Sequence, residues 1–587
     1  SCGPELRLES AAGDVAARGE AALREAVAVV CAGGVVALQG LGGFQLLVDA
    51  GDAAAVARLR ARKRRPEKPF ALLFASLAAV REACVTSPAE EAWLAAPEGP
   101  ILLLERRGAV AGAAAVVDAV APGSPLLGAM LPCTGLHRMI AEAAARPLVC
   151  TSGNLAGEPL CTEVADARAR LAGIADVFLV HDRRIVRPVD DSVARVGPGG
   201  IELLRRARGF APQPVALPGV APGIVALGAQ LKSTVAVSLR DEVVVSQHLG
   251  DLHTVDAALL LERTVRDLVR LFDVAPRLVA CDLHPDYVSS QLAARLAGEW
   301  RVPLVRVQHH HAHAAACVAE HARSGPVLAL AWDGAGLGED GTLWGGEALL
   351  ADGDTCRRVA HLLPFPLPGG ERALREPRRA ALGLLHATDA ARARVWAHGA
   401  FAPGASRVLL GMLERGTGAP PTTSVGRLFD GVAALAGLRG IASYEGQAAI
   451  ELEHAARDAG PESAYPLPLG EGEPAIADWR PLVRAVLDDR ARGVGADVVS
   501  ARFHEALVVL AESIVRHVGA SCVALTGGCF QNARLARAVR ARLASHGVAV
   551  LAPRLFPPND GAIALGQVVV AAARHERGRD RVSRGPG

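Results

Sequence analysis

Residues 327–344 read VLALAWDGAGLGEDGTLW, an apolar run followed by a glycine-rich segment and a second short apolar run. The pattern predicts a strand over 327–332, a turn over 333–341 and a returning strand over 342–344. Because glycine lets backbone N–H groups approach phosphate oxygens closely, this hairpin is a candidate nucleotide-binding element. Taken alone, one such hairpin is weak support for a fold.

An earlier stretch has the same design. It predicts a strand over 224–227, a turn over 228–234 that reads GAQLKST, and a strand over 235–239. This turn offers backbone amides, a lysine and hydroxyl groups, all of which bind phosphate. Two such hairpins in one chain predict an α/β region with two related lobes that face a nucleotide.

Between the two hairpins, residues 307–313 read VQHHHAH and hold four histidines within five positions. On a helix, His309 and His313 share one face because they lie four residues apart, so they could clamp one ion. His310 and His311 lie off that face and receive no predicted role. A lone histidine more often caps a helix or packs in a core, but the density of this cluster favours a metal site.

Composition is that of an ordinary globular protein. The 587 residues are 51% hydrophobic and 21% charged, and the formal net charge is +2. The length predicts about three or four domains, and the near-neutral charge argues against a surface built to follow nucleic-acid phosphates. No apolar run reaches the ~18 residues that span a bilayer. The eleven cysteines lack a CxxC pair, so we expect reduced thiols in a cytoplasmic protein with neither nucleic-acid nor membrane partners.

Lysine and asparagine are rare in this arginine-rich chain, and each occurs at only three positions. Because arginine is a planar fork and lysine a compact charge, the two differ most where a phosphate sits in a tight pocket. We therefore interpret these positions as pointers to binding sites; they are Lys63, Lys68, Lys232, Asn154, Asn532 and Asn559.

The first part of the chain alternates helical periods with short apolar runs, which indicates an α/β domain with buried strands. A proline-rich stretch over 210–223 then indicates a boundary. We expect a first domain at residues 1–215, a linker at 216–223 and a second domain at 224–587.

Two segments of the first domain predict a triphosphate site. RKRRPEKP at 62–69 concentrates cations, and TSGN at 151–154 follows a predicted strand with small donors and acceptors. Cations beside such a turn are what triphosphate binding requires. The sequence has no GxxxxGK[ST] pattern, so a P-loop is excluded as the means.

Two further turns lie in the second domain. GGCFQN at 527–532 follows an apolar run and precedes a periodic helix, which favours a seat for an anion or a ribose. A plain strand-to-helix turn is the alternative. PPNDG at 557–561 places a carboxylate at the start of a helix.

Together these segments resemble the HypF carbamoyltransferases of nickel–iron hydrogenase maturation. The resemblance covers nearly the whole chain and rests on GLGGFQLLVDA, RKRRPEKPFALL, TSGN, VRPVDDSVAR, GAQLKSTVAVS, VQHHHAHAAA, WDGAGLGEDGTLWGGE, GRLFDGVAAL, YEGQAA, TGGCFQN and PPNDGAIALGQ. It implies an α/β chain in which a YrdC-like twisted-sheet domain precedes a two-lobed actin-like domain.

For the first domain, the resemblance implies a reaction of carbamate with ATP that gives carbamoyl-adenylate and pyrophosphate. Lys63, Arg64 and Lys68 would neutralise the phosphates as charge moves to the leaving pyrophosphate, and Lys63 and Arg64 would be catalytic. The residues implied to hold the nucleotide with them are Thr151, Ser152 and Asn154.

For the second domain, the resemblance implies a divalent metal whose ligands are His309, His313, Asp333 and Asp560. Imidazoles with carboxylates suit Fe(II) or Zn(II) better than Mg(II), which would instead accompany ATP. The two histidines would act in catalysis through an ion that polarises the carbamoyl oxygen. The implied nucleotide ligands are Lys232, Asp430, Gly527, Gly528 and Asn532. The acceptor would be the C-terminal cysteine thiol of a partner protein, HypE.

The chain departs from the family at its front, where an acylphosphatase domain and a pair of zinc fingers are expected. Its first residues, Ser1-Cys2-Gly3-Pro4, resemble the tail of the last zinc finger. We therefore expect a truncated form in which Cys2 is an orphaned zinc ligand. Hydrolysis of carbamoyl phosphate would be the missing step, and whether the chain uses carbamate or carbamoyl phosphate stays open.

Three other hypotheses remain. An O-carbamoyltransferase would give the group to a small-molecule hydroxyl, and a tRNA threonylcarbamoyl transferase would act on RNA despite the near-neutral charge. A non-catalytic nucleotide sensor with an actin-like fold would bind ATP without exchanging pyrophosphate.

Overall fold

The computed structural model describes residues 3–108, 115–155, 157–460 and 462–583. Cys2, the expected orphaned zinc ligand, lies outside these ranges. The chain divides into two compact units. The first unit runs to Gln213 and also takes in Leu231–Ser233 and Ser246–Thr264. The second unit consists of Pro214–Gln230, Thr234–Val245 and the chain from Val265 onward.

The first unit is built on one twelve-stranded mixed sheet. Its strands are β1 (Leu6–Glu9), β2 (Val15–Arg18), β3 (Val36–Gln39), β4 (Phe44–Asp49), β5 (Ala71–Leu73), β6 (Cys84–Val85), β7 (Ile101–Arg106), β8 (Leu126–Met130), β9 (Leu148–Ser152), β10 (Val177–His181), β11 (Val193–Gly197) and β12 (Gly200–Arg205). Their order is β12-β11-β7-β8-β5-β9-β4-β3-β10-β1-β2, and β6 pairs with β7.

Helices cover this sheet because its central strands are buried on both faces, as β3 is along its whole length. The helices are α1 (Gly19–Cys31), α2 (Ala53–Lys63), α3 (Leu77–Ala83), α4 (Pro88–Leu94), α5 (Gly135–Ala144), α6 (Val164–Leu171) and α7 (Val255–Leu271), of which α7 also enters the second unit. Asp52 caps α2 by accepting from two backbone N–H groups, and α2 ends at Lys63 where Arg64 adopts a left-handed conformation with φ 52°. The cationic segment therefore begins at a helix end.

The second unit has two sheets. Its strands are β13 (Pro214–Ala216), β14 (Ile224–Ala226), β15 (Ala236–Ser238), β16 (Glu242–Val245), β17 (Leu278–Asp282), β18 (Leu304–Val307), β19 (Val327–Leu337), β20 (Leu343–Asp352), β21 (Thr355–Leu362), β22 (Phe365–Pro366), β23 (Pro421–Thr422), β24 (Ala475–Ala477), β25 (Cys522–Thr526) and β26 (Ala549–Leu551). The six-stranded sheet has the order β13-β16-β15-β14-β17-β18. The eight-stranded sheet has the order β22-β23-β20-β19-β25-β26, with β21 on β20 and β24 on β21.

The helices of this unit are α8 (Val288–Trp300), α9 (His309–Glu320), α10 (Arg372–Arg375), α11 (Pro377–Thr388), α12 (Ala390–Ala400), α13 (Pro403–Arg415), α14 (Val425–Leu435), α15 (Gln447–Ala455), α16 (Arg480–Ala491), α17 (Ala496–Val518), α18 (Ala533–Ser545) and α19 (Ile563–Ser583). Helices α9 and α19 cross closely, since a β-carbon on Gly566 would overlap the carbonyl of Ala312. This crossing brings the histidine-rich start of α9 beside the start of α19.

Both predicted hairpins are present, one in each sheet. Strands β14 and β15 pair antiparallel, as do β19 and β20. The predicted turn at 333–341 is wrong in its extent, because β19 continues to Leu337 with a register shift between Trp332 and Gly336. Small residues allow this continuation: a β-carbon on Gly336 would lie 2.7 Å from the His310 ring and 2.8 Å from the His309 ring.

The region of the expected linker contributes to a sheet. Strand β13, which spans the expected boundary at residue 215, pairs antiparallel with β16 in the second unit. Within the described ranges, no helix combines the length and apolar character needed to cross a membrane.

Candidate functional site

The histidine cluster occupies the first turn of α9. Gln308 caps the helix, because its side-chain oxygen accepts from the backbone N–H of His311 at 2.8 Å. His309 and His313 are 1% and 0% exposed. The helix therefore presents both imidazoles on one buried face, as their four-residue spacing predicts.

Two carboxylates complete this cluster. Asp333 lies in β19, and Asp560 begins a short 3-10 segment directly before α19. The Nε2 atom of His309 is 3.5 Å from Asp333 Oδ2 and 3.8 Å from Asp560 Oδ1. The Nε2 atom of His313 is 3.7 Å from each of the same oxygens. The structure thus brings together all four residues predicted as metal ligands.

These separations fit a shared ion better than direct hydrogen bonds. Neither Nε2 atom has a hydrogen-bond partner among the residues that the structure describes. Two ligand atoms that each lie about 2.1 Å from a tetrahedral metal are roughly 3.4 Å apart, whereas a hydrogen bond requires about 2.7–3.2 Å. The four ligand atoms lie within 4.8 Å of one another. The donor set therefore fits a divalent metal ion.

Asp282, at the end of β17, orients His309. Its Oδ2 atom is 2.7 Å from Nδ1 of His309, and its Oδ1 atom accepts from the backbone N–H of His284 at 2.9 Å. The Asp282 side chain is fully buried. A proton held on Nδ1 leaves the Nε2 lone pair directed at the cluster, as in many metal sites. The sequence interpretation missed Asp282, although a carboxylate directly after an apolar run was a usable signal.

Charge at this site is unbalanced without a cation. Burial lowers the pKa of His309, but Asp282 and the two cluster carboxylates outweigh burial and raise that pKa well above its usual value. Three buried carboxylates around two imidazoles require protons or a metal ion for compensation. A divalent cation would supply this charge at the point where the unpartnered nitrogen atoms converge.

The other two histidines of the cluster have different surroundings. His310 is fully buried, with its ring 6.2 Å from the Trp344 ring. His311 Nε2 lies 3.0 Å from the carbonyl oxygen of Gly353, and burial lowers the pKa of His311 to about 4. Neither is among the four clustered ligand residues.

The predicted glycine turn lies against the metal-ligand residues. Gly527 has φ 91°, and a β-carbon there would overlap the Trp332 carbonyl. The Gly528 N–H donates to Asp333 Oδ1 at 2.8 Å. Phe530 stacks on Trp332 with ring centroids 5.4 Å apart, which fixes the turn against β19.

Three other predicted nucleotide ligands have distinct positions. Asn532 caps α18 by accepting from Leu535 N at 2.8 Å, and its Nδ2 lies 2.9 Å from His504 Nε2. Asp430 is 4% exposed and forms an ion pair with Arg427. Lys232 belongs to Leu231–Ser233, a segment that groups with the first unit. Capping thus occupies Asn532.

Lys63 is the most constrained of the predicted residues in the first unit. It is 1% exposed, and its Nζ donates to Ser152 O at 2.6 Å, to Asn154 Oδ1 at 2.8 Å and to Asn154 O. Burial, helped by Arg65, lowers the pKa of Lys63 to about 7. All three donors of the ammonium therefore hold the Thr151–Asn154 turn.

The remaining candidates of the first unit differ in exposure. Thr151 is buried, and its Oγ1 lies 3.4 Å from Arg65 Nη1. Arg64 and Lys68 are exposed. Burial and Arg205 lower the pKa of the half-buried His248, and Lys232 and Lys68 add to that effect. The first unit thus contains the exposed Arg64 and Lys68 and also the segment that carries Lys232.

Three family models match the chain. The model described as "Telomere recombination" matches residues 28–207, and the "HypF Kae1-like domain" matches residues 220–320. The model described as "Carbamoyltransferase, Kae1-like Domain, second subdomain" matches residues 329–567.

Full-length relatives extend the match. The carbamoyltransferase HypF of Synechocystis sp. is 42% identical, with 96% of this chain and 75% of that protein covered. The carbamoyltransferase HypF of Rhodobacter capsulatus is 44% identical, with 98% of this chain and 76% of that protein covered. The chain belongs to the HypF carbamoyltransferase family.

A solved HypF structure agrees with this membership. The crystal structure of full-length HypF in the phosphate- and nucleotide-bound form is 36% identical, covers 98% of this chain and 75% of that chain, and superposes with a TM-score of 0.92. The predicted HypF architecture, an α/β chain with a YrdC-like domain followed by an actin-like carbamoyltransferase domain, is therefore confirmed.

Proposed function

We propose that this chain is an ATP-dependent carbamoyltransferase of nickel–iron hydrogenase maturation. It makes carbamoyl-adenylate and transfers the carbamoyl group to the C-terminal cysteine thiol of HypE. The observation that carries the proposal is the buried cluster of His309, His313, Asp333 and Asp560 in a HypF-family chain. The Nε2 atoms of His309 and His313 have no hydrogen-bond partner among the described residues, which supports a ligand-binding role for this cluster.

The first unit would form carbamoyl-adenylate. A carbamate oxygen attacks the α-phosphorus of ATP, the bond to the β-phosphate oxygen breaks, and pyrophosphate leaves with Mg(II). Lys63 fixes the Thr151–Asn154 turn, because its ammonium holds the carbonyl oxygens of Ser152 and Asn154. The exposed Arg64 and Lys68 would then meet the phosphates as negative charge moves to pyrophosphate.

The second unit would complete the transfer. The thiol sulfur of the acceptor attacks the carbonyl carbon of carbamoyl-adenylate, the bond to the phosphate oxygen breaks, and AMP leaves as the thiol proton is lost. The product is an S-carbamoyl cysteine. Burial of this site limits the access of water, which would otherwise hydrolyse the reactive adenylate.

Residues of the second unit would prepare the metal site for this step. His309, His313, Asp333 and Asp560 would hold Fe(II) or Zn(II), both of which suit imidazole and carboxylate donors. The bound ion supplies Lewis acidity to an oxygen of the substrate. Asp282 keeps the proton of His309 on Nδ1, so Nε2 stays available as a ligand.

The test measures both half-reactions with the whole chain. ATP, Mg(II) and labelled carbamate are incubated with and without a HypE-type protein that ends in cysteine, and pyrophosphate exchange and labelled thiol are followed. We expect carbamate-dependent exchange without the acceptor, and AMP with labelled thiol in its presence. An acceptor that ends in serine is the control.

Two outcomes would contradict the proposal. Absence of carbamate-dependent pyrophosphate exchange removes adenylate formation, and exchange without label on the acceptor thiol removes the transfer step. Label on a small-molecule hydroxyl would indicate the O-carbamoyltransferase alternative. Replacing carbamate by carbamoyl phosphate shows which donor this chain accepts.

A further inference from the structure

Arg427 is a buried cation to which the two proposed half-reactions assign no role. It lies in the first turn of α14 and is 8% exposed. Its Nε and Nη1 atoms make no hydrogen bond within the described part of the chain. Buried guanidinium donors without acceptors cost free energy, so this position favours an anionic ligand.

The Arg427 guanidinium lies beside the backbone that carries a metal-ligand residue. A β-carbon on Gly334 would be 3.7 Å from Arg427 Nη2, and one on Gly426 would be 2.9 Å from Gly334 Cα. Ser424 caps α14 and also donates its hydroxyl toward the carbonyl oxygens of Asp333 and Gly334, at 2.7 Å each. Helix α14 therefore begins directly against the segment that follows Asp333.

Asp430 forms an ion pair with the same guanidinium but does not satisfy its hydrogen-bond donors. Its Oδ2 atom lies 2.7 Å from Arg427 Nη1, close enough for an ion pair but without hydrogen-bond alignment. The pair sits one helical turn apart on α14, so Asp430 limits the orientations that Arg427 can adopt. The Nε donor, which has neither a hydrogen bond nor an ion-pair partner among the described residues, is left for an anion.

The glycine turn lies against the helix that carries this charge. The pKa of the Cys529 thiol is raised well above its usual value by burial and by Asp333, and Arg427 opposes that rise. Helix α14 also contacts the 3-10 segment Gly528–Gln531, which belongs to the turn where the sequence predicts an anion or ribose seat.

We propose that Arg427 binds the phosphate group of an adenylate and so holds the nucleotide of the second unit beside the metal-ligand residues. The inference rests on the proposed function, because that function supplies carbamoyl-adenylate as substrate and AMP as product. The N-terminus of α14 adds favourable electrostatics for the same phosphate. A planar guanidinium can meet two phosphate oxygens at once, which a lysine cannot.

The test measures AMP binding to the full chain by calorimetry. AMP carries only the phosphate that the adenylate retains. We expect Arg427→Gln to weaken AMP at one site by about tenfold or more, because a charged hydrogen bond is lost. Arg427→Lys should recover part of that affinity. Metal content and carbamate-dependent pyrophosphate exchange should stay unchanged, whereas AMP should become a weaker inhibitor of carbamoyl transfer.

Arg379→Gln is the matched control. Arg379 is 7% exposed, pairs with Glu376 at 3.1 Å three residues earlier, and has an Nε atom without a hydrogen-bond partner among the described residues. It lies beside Gly369. This variant should lose a similar amount of stability, yet bind AMP as the unmodified chain does.

Unchanged AMP affinity in folded Arg427→Gln overturns the inference, as does an equal loss in Arg379→Gln. If Arg427→Gln fails to fold, the AMP affinity of Arg427→Lys is used instead, because lysine keeps the charge but lacks the planar guanidinium. A lower affinity then supports the inference, and an unchanged affinity overturns it. The proposed function can fail separately, since absence of pyrophosphate exchange or transfer in the unmodified chain does not alter the AMP measurement.

Discussion

The first unit saturates its buried cation, whereas the second unit leaves buried imidazoles unsatisfied. Lys63 is 1% exposed, and its ammonium donates to three oxygens of Ser152 and Asn154. His309 and His313 are buried as deeply, yet their Nε2 atoms have no hydrogen-bond partner in the described ranges. The first arrangement holds a turn in place, and the second is open to a ligand.

This difference separates a supporting residue from a binding residue by the state of its hydrogen bonds. A buried polar atom that is already paired stabilises the fold and has little left for substrate. A buried polar atom without a partner costs free energy, so its persistence suggests a functional ligand. The two units should therefore respond independently when each arrangement is broken.

The largest effect on activity is expected from removing the two imidazoles of the second unit. Replacing His309 and His313 together by alanine should reduce bound metal to background and abolish carbamoyl transfer, because both imidazole donors are lost. Pyrophosphate exchange should persist, since Lys63 lies in the other unit. Elemental analysis and the two activity assays test this. His311→Ala is the control, and metal retained after the double substitution would contradict the assigned ligands.

Removing the Lys63 ammonium should impair pyrophosphate exchange and leave the metal site intact. In Lys63→Met, the oxygens of Ser152 and Asn154 lose their donor, which should lower the free energy of unfolding by about 2–3 kcal/mol. Displacement of the turn should reduce pyrophosphate exchange about a hundredfold. Metal content should not change. Arg62→Met is the control, because Arg62 pairs with the partly exposed Asp176. Normal exchange in Lys63→Met would remove this residue from the first site.

A smaller effect on metal affinity should follow from changing Asp282, the carboxylate that orients His309. Asp282→Asn should weaken metal binding by about 10- to 100-fold, because the carboxylate that fixes the Nδ1 proton becomes a neutral amide. Competition with a chelator measures the affinity directly. Asp286→Asn, at an exposed position nearby, should leave it unchanged. Equal metal affinity in the two variants would show that Asp282 does not orient His309.

The smallest expected effect is on the pH dependence of stability, which should have opposite signs in the two units. Lys63 has its pKa lowered from 10.5 to about 7, so the unfolded chain binds more protons between these values. Stability of the first unit should therefore rise with pH in that window. Asp430 has its pKa raised from 3.8 to about 6, so stability of the second unit should fall as pH rises through that window.

Denaturant titrations across pH measure both slopes. Lys63→Met should remove the alkaline rise, of about 5 kcal/mol at most, and Asp430→Asn should remove the acidic fall, of about 3 kcal/mol at most. A slope that survives its own substitution would assign the proton to another group. A slope lost in the wrong variant would show that the two units do not respond independently.

Much of the fold followed from local patterns. The hairpins at β14–β15 and β19–β20 were predicted from apolar runs around glycine-rich turns, and the family match supports the domain order. The length of β19 was not predictable, because its extension depends on the His309 and His310 rings that lie against Gly336. Such close packing between distant segments leaves no local signal.

The sequence by itself determined that His309 and His313 share a helix face, because helical periodicity is a local property. It also located Lys63 and the Thr151–Asn154 turn as related features. Only the tertiary structure decided what these residues contact. The strand order brings Asp282 to His309, and the crossing of α9 with α19 brings Asp560 to the same point. Contacts between such distant segments depend on topology and not on periodicity.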